Sequence, residues 1–410
     1  MQTQPSRRLR SIPDVYLIAP LTVLAVAFGI MTFTGLWPTT VNDYRSYSLQ
    51  ACAWLQGRLD LGQDYPWLEL AIYEGKYYVS FPPFPSYVLL PFAAVFGEHT
   101  PDHWIALAVM LLGCVYAVCL CRLIAGDRAG TLALVLFLYI GNGYLFIGIQ
   151  GWVWFLAQGM CFTLSLMALA HAVKGQGGIS LACWACAVGC RPVVIVYLPL
   201  IIHILCKTWR ERSGVRPWTL VKKRWYWAVV PSALALSYMA LNMLRFGNPL
   251  EFGHNYLPEF VRAQEGQFSL SYVAGNVQEL LRLPPLDERT GKLGYFCIGC
   301  MAFWLIAPIF ILFFTAWVYA LVRKRREHAF LLAALPVMMF LHAGILCMHR
   351  TLGGWQFGNR YLLDMLPYLF YGLLCFAPFN TRYVRLHAPL MALGTAINLI
   401  GTVAVYNKWI

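Results

Sequence analysis

Long apolar runs recur along this chain and fix what it can become. About 20 apolar residues cross a bilayer as a helix, at 1.5 Å per residue. Eleven stretches read as spans: Val15–Trp37, Trp104–Cys121, Thr131–Ile149, Trp154–Val173, Ile179–Cys190, Val193–Cys206, Trp227–Leu244, Tyr295–Val322, Ala329–Met348, Tyr361–Phe379 and Leu386–Tyr406. Of 410 residues, 60% are hydrophobic and only 12% charged. That composition excludes a soluble globular enzyme and indicates an all-α polytopic membrane protein. The Arg7-Arg8-Leu9-Arg10 prefix resembles the start of a signal peptide. The run behind it is too long for an h-region and no small-residue cleavage site follows, so the first span is read as uncleaved. Residues 1–410 are treated as one integral membrane domain.

Charge orients the spans. With the N-terminus cytoplasmic, the inner segments collect Arg7, Arg8, Arg10, Lys174, Arg210, Arg212, Lys222, Lys223, Arg224 and the run Arg323-Lys324-Arg325-Arg326. The acidic residues lean outward, leaving only Asp14, Asp127, Glu211 and Glu327 inside. Both tendencies fit the positive-inside rule. The net charge of +13 then reflects topology and attraction to membrane lipids, not nucleic-acid binding. No glycine-rich phosphate loop or dinucleotide fingerprint occurs in an inner segment. The thirteen cysteines lie mostly inside apolar runs, as Cys183, Cys186 and Cys190 do. Without a histidine partner set, they read as small packing residues rather than zinc ligands.

Three outer segments hold the unusual residues. The first, residues 38–103, reads as two interfacial helices around a hairpin. Tyr44, Tyr47, Ala51 and Trp54 form one stripe beside Asp43 and Arg45. Glu74-Gly75 suits a turn between β-type residues, and Pro82-Pro83-Phe84-Pro85 breaks the chain before a second short apolar run. The second segment, 245–294, contains His254. The third, 349–361, ends at Arg360 and Tyr361, with Asp364 just inside the next span. Arg191 sits between two apolar runs too short to cross a 30 Å core, so it is expected below the outer surface. A buried arginine there needs a bound anion, such as a lipid phosphate, or an outer-segment carboxylate.

Taken together, Asn42-Asp43-Tyr44, Pro82-Pro83-Phe84, Arg245-Phe246-Gly247-Asn248-Pro249 with Phe252-Gly253, and Gly358-Asn359-Arg360-Tyr361 with Pro367 resemble the C-type superfamily of membrane glycosyltransferases. Protein mannosyltransferases and lipid A aminoarabinose transferases belong to that superfamily. The resemblance implies a polyprenyl-phosphate sugar as donor, an active site on the outer face of the membrane, and the first-loop Asp43 as catalytic base. Relatives commonly carry two adjacent acidic residues there, whereas Asn42 precedes Asp43 in this chain. No cofactor is called for, and use of a divalent metal is left open.

Elementary chemistry asks for the same parts. Glycosyl transfer from a phosphate to a hydroxyl needs a base for the acceptor proton and a cation for the departing phosphate. Asp43 is the candidate base; Arg360 and Arg191 are the candidate phosphate clamps, since a guanidinium fork matches phosphate oxygens. Tyr44, Tyr47, Glu74, His254, Tyr361 and Asp364 are candidate sugar or acceptor contacts. Each has a plainer reading: Asp43 also suits a helix cap, Asp64, Glu69 and Glu74 suit solvated loop charges, and Asp364 suits a partner of Arg360 at i−4. The alternative function is a transporter or flippase of lipid-linked sugars, though no repeat relates the two halves. A polymerase or ligase of lipid-linked oligosaccharides would carry its large outer loop late in the chain, and here the early loop is richer. The acceptor is not legible. A bacterial cytoplasmic membrane is the expected location.

Overall fold

The structure is a computed structural model that describes residues 15–409, except 127–129, 215–216, 285, 288–291, 294–300 and 379–380. The basic N-terminal prefix, Cys297, Cys300 and the beginning of the expected span Tyr295–Val322 therefore lie outside the described residues.

Among the described residues, seven helices are long and apolar enough to cross a membrane: Tyr16–Thr34, Asp102–Ile124, Val153–Val173, Pro192–Ser213, Trp225–Phe246, Arg326–Met348 and Arg385–Tyr406. Shorter apolar helices run over Thr131–Ile140, Gly177–Val188 and Ile309–Val322. The helical, polytopic class expected from the sequence is what forms. Val153–Val173 is its hub. It is apolar all round, and 83% of its hydrophobic window is buried, as expected of a helix surrounded by others. Small residues on it, among them Ala157, Gly159, Ala168 and Ala172, let neighbouring backbones come close. It packs against Asp102–Ile124, Gly177–Val188, Leu198–Ser213 and Leu366–Phe376. Trp225–Phe246 is the opposite case, with only 11% of its window buried, so its apolar side chains suit lipid.

Two expected spans take a different form. The run Thr131–Ile149 breaks at Gly141-Asn142-Gly143 into helices Thr131–Ile140 and Tyr144–Gly148. Gly143 has φ +78°, open to a residue without Cβ. Asn142 satisfies the opened backbone: its Nδ2 donates to the Phe137 carbonyl at 2.6 Å and its Oδ1 accepts from Ile309 N at 2.9 Å. The run after Tyr361 begins with a 3-10 turn, Arg360–Met365, before the helix Leu366–Phe376.

The first outer segment follows the sequence reading closely in its elements. Helix Ser46–Leu55 precedes a hairpin whose strands Leu70–Tyr73 and Lys76–Val79 pair Leu70 with Val79 and Tyr73 with Lys76. Glu74 and Gly75 turn it with φ +49° and +72°, the geometry of a two-residue hairpin loop. Helix Phe84–Phe96 follows the proline break. One detail is corrected. Ser46–Leu55 does not present one apolar stripe and one wet face; Ser46 through Ala51 are all buried. Two of its polar side chains bond inside the protein, Ser48 Oγ donating to Asp102 and Gln50 Oε1 accepting from Ser86 Oγ at 2.8 Å.

Asn42 ties this segment to the spans. Its Nδ2 donates to Asp102 Oδ2 at 2.9 Å and to the Gly151 carbonyl at 2.7 Å, while its Oδ1 accepts from Tyr44 N at 3.0 Å. An acid at position 42 would face the Asp102 carboxylate, which accounts locally for the amide.

Candidate active site

A cavity of about 390 Å³ opens where the first outer segment meets the segments around His254 and His349. Its wall is assembled from distant parts of the chain, and each part is held by local chemistry.

Arg191 follows the helix Gly177–Val188 by way of Gly189 and Cys190. Gly189 is where that helix end meets the start of Phe84–Phe96: its carbonyl accepts from Phe84 N at 3.1 Å. A Cβ there would lie 2.8 Å from the Phe84 Cβ, so only glycine permits the approach. Arg191 Nε donates to Asp364 Oδ2 at 2.9 Å. Asp364 is 1% exposed and takes a second bond from Gln158 Nε2 at 2.8 Å. Burial opposes the Arg191 charge, but Asp364 outweighs it and holds the guanidinium firmly protonated.

Arg360 enters from the other side. Gly358 turns the chain at φ +68°, and Asn359 Oδ1 caps Leu362 N at 3.2 Å. The Arg360 carbonyl accepts from Gln158 Nε2 at 2.6 Å. Its guanidinium lies 4.7 Å from the Tyr361 ring centre and 5.7 Å from that of Phe155, and Arg191 covers Tyr361 at 4.8 Å. Arg360 is only 5% exposed, yet among the described residues its Nε and Nη1 have no hydrogen-bond partner. Burial, reinforced by the like charge of Arg191, lowers its pKa from the ordinary arginine value. A buried guanidinium with idle donors beside a cavity is equipped to receive an anion.

The rest of the wall includes acidic and aromatic residues. Glu69 lines the cavity and is accessible from it. Its Oε2 accepts from Trp154 Nε1 at 2.9 Å, and its backbone carbonyl accepts from Ser80 Oγ at 3.0 Å. The surrounding protein raises the Glu69 pKa above the ordinary carboxylate value, partly offset by the Trp154 bond and by Arg360. Glu251, also on the wall, is committed: its oxygens accept from Gly253 N and Asn255 Nδ2, both at 2.6 Å. His254 is pulled down to about 3 by burial, with the charges of His349 and Arg191 adding to it, so it is neutral at physiological pH. Burial lowers His349 as well, against the pull of the Thr351 carbonyl.

The structure thus gathers Arg191, Arg360, Tyr361, His254 and Tyr47 on one cavity, with Asp364 directly behind Arg191. Tyr47 points a buried hydroxyl without a partner. Tyr44 is one layer back, its ring 5.0 Å from Trp154, which lines the wall. Two candidates are elsewhere. Glu74 is exposed at the hairpin tip. Asp43 is exposed and is not among the lining residues; its backbone carbonyl accepts from Trp67 Nε1 at 3.1 Å. Asp364 pairs with Arg191, not with Arg360. Residues 360–365 form a 3-10 turn, where i and i+3 eclipse and i+4 points away.

Glu69, Glu259, His349 and Trp154 line the cavity without having been singled out. The signal for Glu69 was the alternation Leu68-Glu69-Leu70 entering the hairpin. Leu68 and Leu70 are buried, so period two turns Glu69 to the other face. The Arg245-Phe246-Gly247 motif is a docking device. Arg245 donates to the Val79 carbonyl at 2.9 Å and to Asn242 Oδ1 at 2.8 Å, pinning the hairpin to the Val229–Phe246 helix. Among the described residues no three His, Cys, Asp or Glu side chains gather as a metal-holding group.

No protein-family model matches this sequence, and no curated protein matches it either. Solved structures do. ArnT from Cupriavidus metallidurans, bound to undecaprenyl phosphate, superposes at a TM-score of 0.53 with 14% identity, over 95% of this chain and 76% of that one. The chain shares its fold with ArnT. Archaeal oligosaccharyltransferase AglB from Archaeoglobus fulgidus, in complex with an inhibitory peptide and a dolichol-phosphate, matches at a TM-score of 0.44 and 13% identity, over 96% of this chain and 56% of AglB. The apo form of the Archaeoglobus fulgidus oligosaccharyltransferase matches at 0.44 and 12%, over 96% of this chain and 55% of that one. The chain spans about half the length of these archaeal enzymes.

Proposed function

We propose that this protein is a membrane glycosyltransferase that moves a sugar from a polyprenyl-phosphate donor to an acceptor in the cavity. The observation that carries the reading is the pair of guanidiniums on the cavity wall, one fixed by Asp364 and the other buried with idle donors. The fold shared with ArnT, a structure that holds undecaprenyl phosphate, supports a lipid-phosphate ligand of the same kind. In this reading Arg360 and Arg191 bind the donor phosphate and stabilise the charge it acquires as the glycosyl bond breaks. Tyr361, whose ring centre lies 4.7 Å from one guanidinium and 4.8 Å from the other, is a cation–π partner of both. Asp364 and Gln158 hold Arg191 and the Arg360 backbone in place without touching the donor. Tyr47, Tyr44 and His254 shape the sugar or acceptor space.

Topology supports an outward-facing site. The cavity is at the first turns of Val153–Val173 and the last turns of Ala329–Met348, through Trp154, Ala157 and Leu346. The basic residues Lys174 and Arg323–Arg326 lie at the opposite ends of the same bundle. By the positive-inside rule those ends suit the cytoplasmic side, which supports an outward-facing cavity. No nucleotide sugar is available there, so a lipid-carried donor suits the location.

The test is sugar transfer from a panel of labelled undecaprenyl-phosphate monosaccharides in membranes holding the wild type at matched expression. Transfer or release of label above control membranes supports the reading. Movement of the lipid across vesicles with no release of sugar would replace it with the flippase reading.

A further inference from the structure

We infer that Glu69, not Asp43, is the general base that takes the acceptor proton in this cavity. The inference rests on the glycosyltransferase reading above and deepens it.

A base must reach the proton it removes, within about 3 Å or through one water. Geometry therefore comes before residue type. Asp43 is carboxylate-bearing and sits early in the first outer segment, but it does not line the cavity. Glu69 belongs to the same segment, does line it, and shares it with both guanidiniums. The other acidic lining residues are less suited. Both Glu251 oxygens are taken by Gly253 N and Asn255 Nδ2. Among the described residues no side-chain bond orients Glu259, whose backbone carbonyl is held by Arg350.

Glu69 is both held and available. Trp154 Nε1 fixes Oε2 at 2.9 Å, while among the described residues no bond occupies Oε1, which is left for a substrate hydroxyl. Ser80 anchors the backbone of the same residue. Trp154 is itself braced, its ring 5.0 Å from Tyr44. The step balances within these groups. The acceptor oxygen bonds to the anomeric carbon and its proton passes to Glu69 Oε1. The carbon–oxygen bond to phosphate breaks, and its electron pair leaves on the phosphate oxygen facing Arg360 and Arg191. The proton then returns to water through the open mouth of the cavity. Protein around Glu69 raises its pKa, with Trp154 and Arg360 opposing, so the proton is held more readily than on a solvated carboxylate.

The test compares Glu69→Gln, Glu69→Asp, Trp154→Phe and Asp43→Asn in membranes supplied with undecaprenyl-phosphate sugars, with binding of undecaprenyl phosphate measured separately. Glu69→Gln keeps an acceptor for Trp154 and so preserves the local fold. Its kcat is expected to fall by about 10²- to 10⁴-fold, the usual worth of a general base, and to lose the acidic limb of its pH profile. Binding of undecaprenyl phosphate stays within about threefold of wild type. Glu69→Asp recovers part of the rate. Trp154→Phe removes a bond that favours the ionised form, so the acidic limb moves to higher pH. Asp43→Asn retains the limb. A loss in Glu69→Gln confined to KM with the limb intact would overturn the inference. So would an inactive Asp43→Asn beside an active Glu69→Gln. A wild type that neither binds undecaprenyl phosphate nor releases sugar would overturn the reaction class, and the base with it. A wild type that does both while Glu69→Gln keeps its kcat overturns the base alone.

Discussion

Two polar clusters lie close together in this fold and are built on opposite rules. Beneath the first outer segment, Asn42, Ser48, Asp102 and Gly151 satisfy one another: the Asp102 carboxylate takes bonds from Asn42 and Ser48, and the Gly151 carbonyl takes one from Asn42. On the cavity wall, Arg360 keeps two idle nitrogens and Tyr47 an idle hydroxyl, all buried. Buried polar groups are nearly always paired, because leaving one unpaired costs about 1–3 kcal/mol. The closed cluster reads as structural, and in the proposed function the open one receives the donor phosphate. Asn42 and Asp43 show how little sequence adjacency says about this. One is locked in the closed cluster, and the other is exposed and in neither.

The contrast predicts opposite outcomes for removal of a charge and addition of one. The largest effect is expected at Arg360. Arg360→Met should lower sugar transfer by about 10²- to 10³-fold, as loss of a preorganised donor to a developing anion does. The same change should leave the melting temperature in detergent unchanged or higher, since removing an unpaired buried charge relieves its desolvation cost. Arg360→Lys should recover little, because a point charge does not replace a planar fork. A destabilised Arg360→Met with transfer intact would make the open cluster structural.

Asn42→Asp should do the reverse. It removes two donated bonds and sets a carboxylate against Asp102, for a loss of about 2–4 kcal/mol in stability. Activity per folded molecule should be unchanged. The deficit should shrink as pH falls, because a protonated acid at position 42 can donate to Asp102 again. Thermal unfolding across pH 5 to 8 reads this directly, and a deficit independent of pH would refute the pairing.

The smallest effect is expected at His254. Its pKa is lowered to about 3, below the ordinary histidine value, so the unfolded chain binds its proton first. Its contribution is present above about pH 6.5 and is lost as pH falls through that value toward 3. His254→Gln should flatten this acid-side loss by up to roughly 1 kcal/mol per pH unit. It should leave the acidic limb of the rate profile where Glu69 sets it. A limb that shifts with His254→Gln would bring that imidazole into the chemistry.

Most of the first outer segment was legible because its signals are local. Glu74-Gly75 fixes a hairpin turn, and Pro82 to Pro85 stop one element and start the next. Arg191 was legible for a physical reason too: two apolar runs too short to cross the core leave their junction below the surface. What escaped was set by tertiary packing. The Thr131–Ile149 run is interrupted only by Gly141-Asn142-Gly143, a local turn signal, and the partners of Asn142 show how that break is held. Asp364 was matched to Arg360 on α-helical spacing, but the 3-10 turn sends it inward to Arg191. Glu69 looked like a solvated loop charge: the alternation Leu68-Glu69-Leu70 turns it off the core, but nothing local says that Trp154, 85 residues later, will bond it.

Binding of undecaprenyl phosphate to the purified protein, wild type against Arg360→Met, tests the central claim most directly. The account predicts saturable binding by the wild type, weakened at least tenfold in Arg360→Met and unchanged per folded molecule in Asn42→Asp. Equal binding by wild type and Arg360→Met would contradict it, because the idle guanidinium would then not be where the phosphate goes.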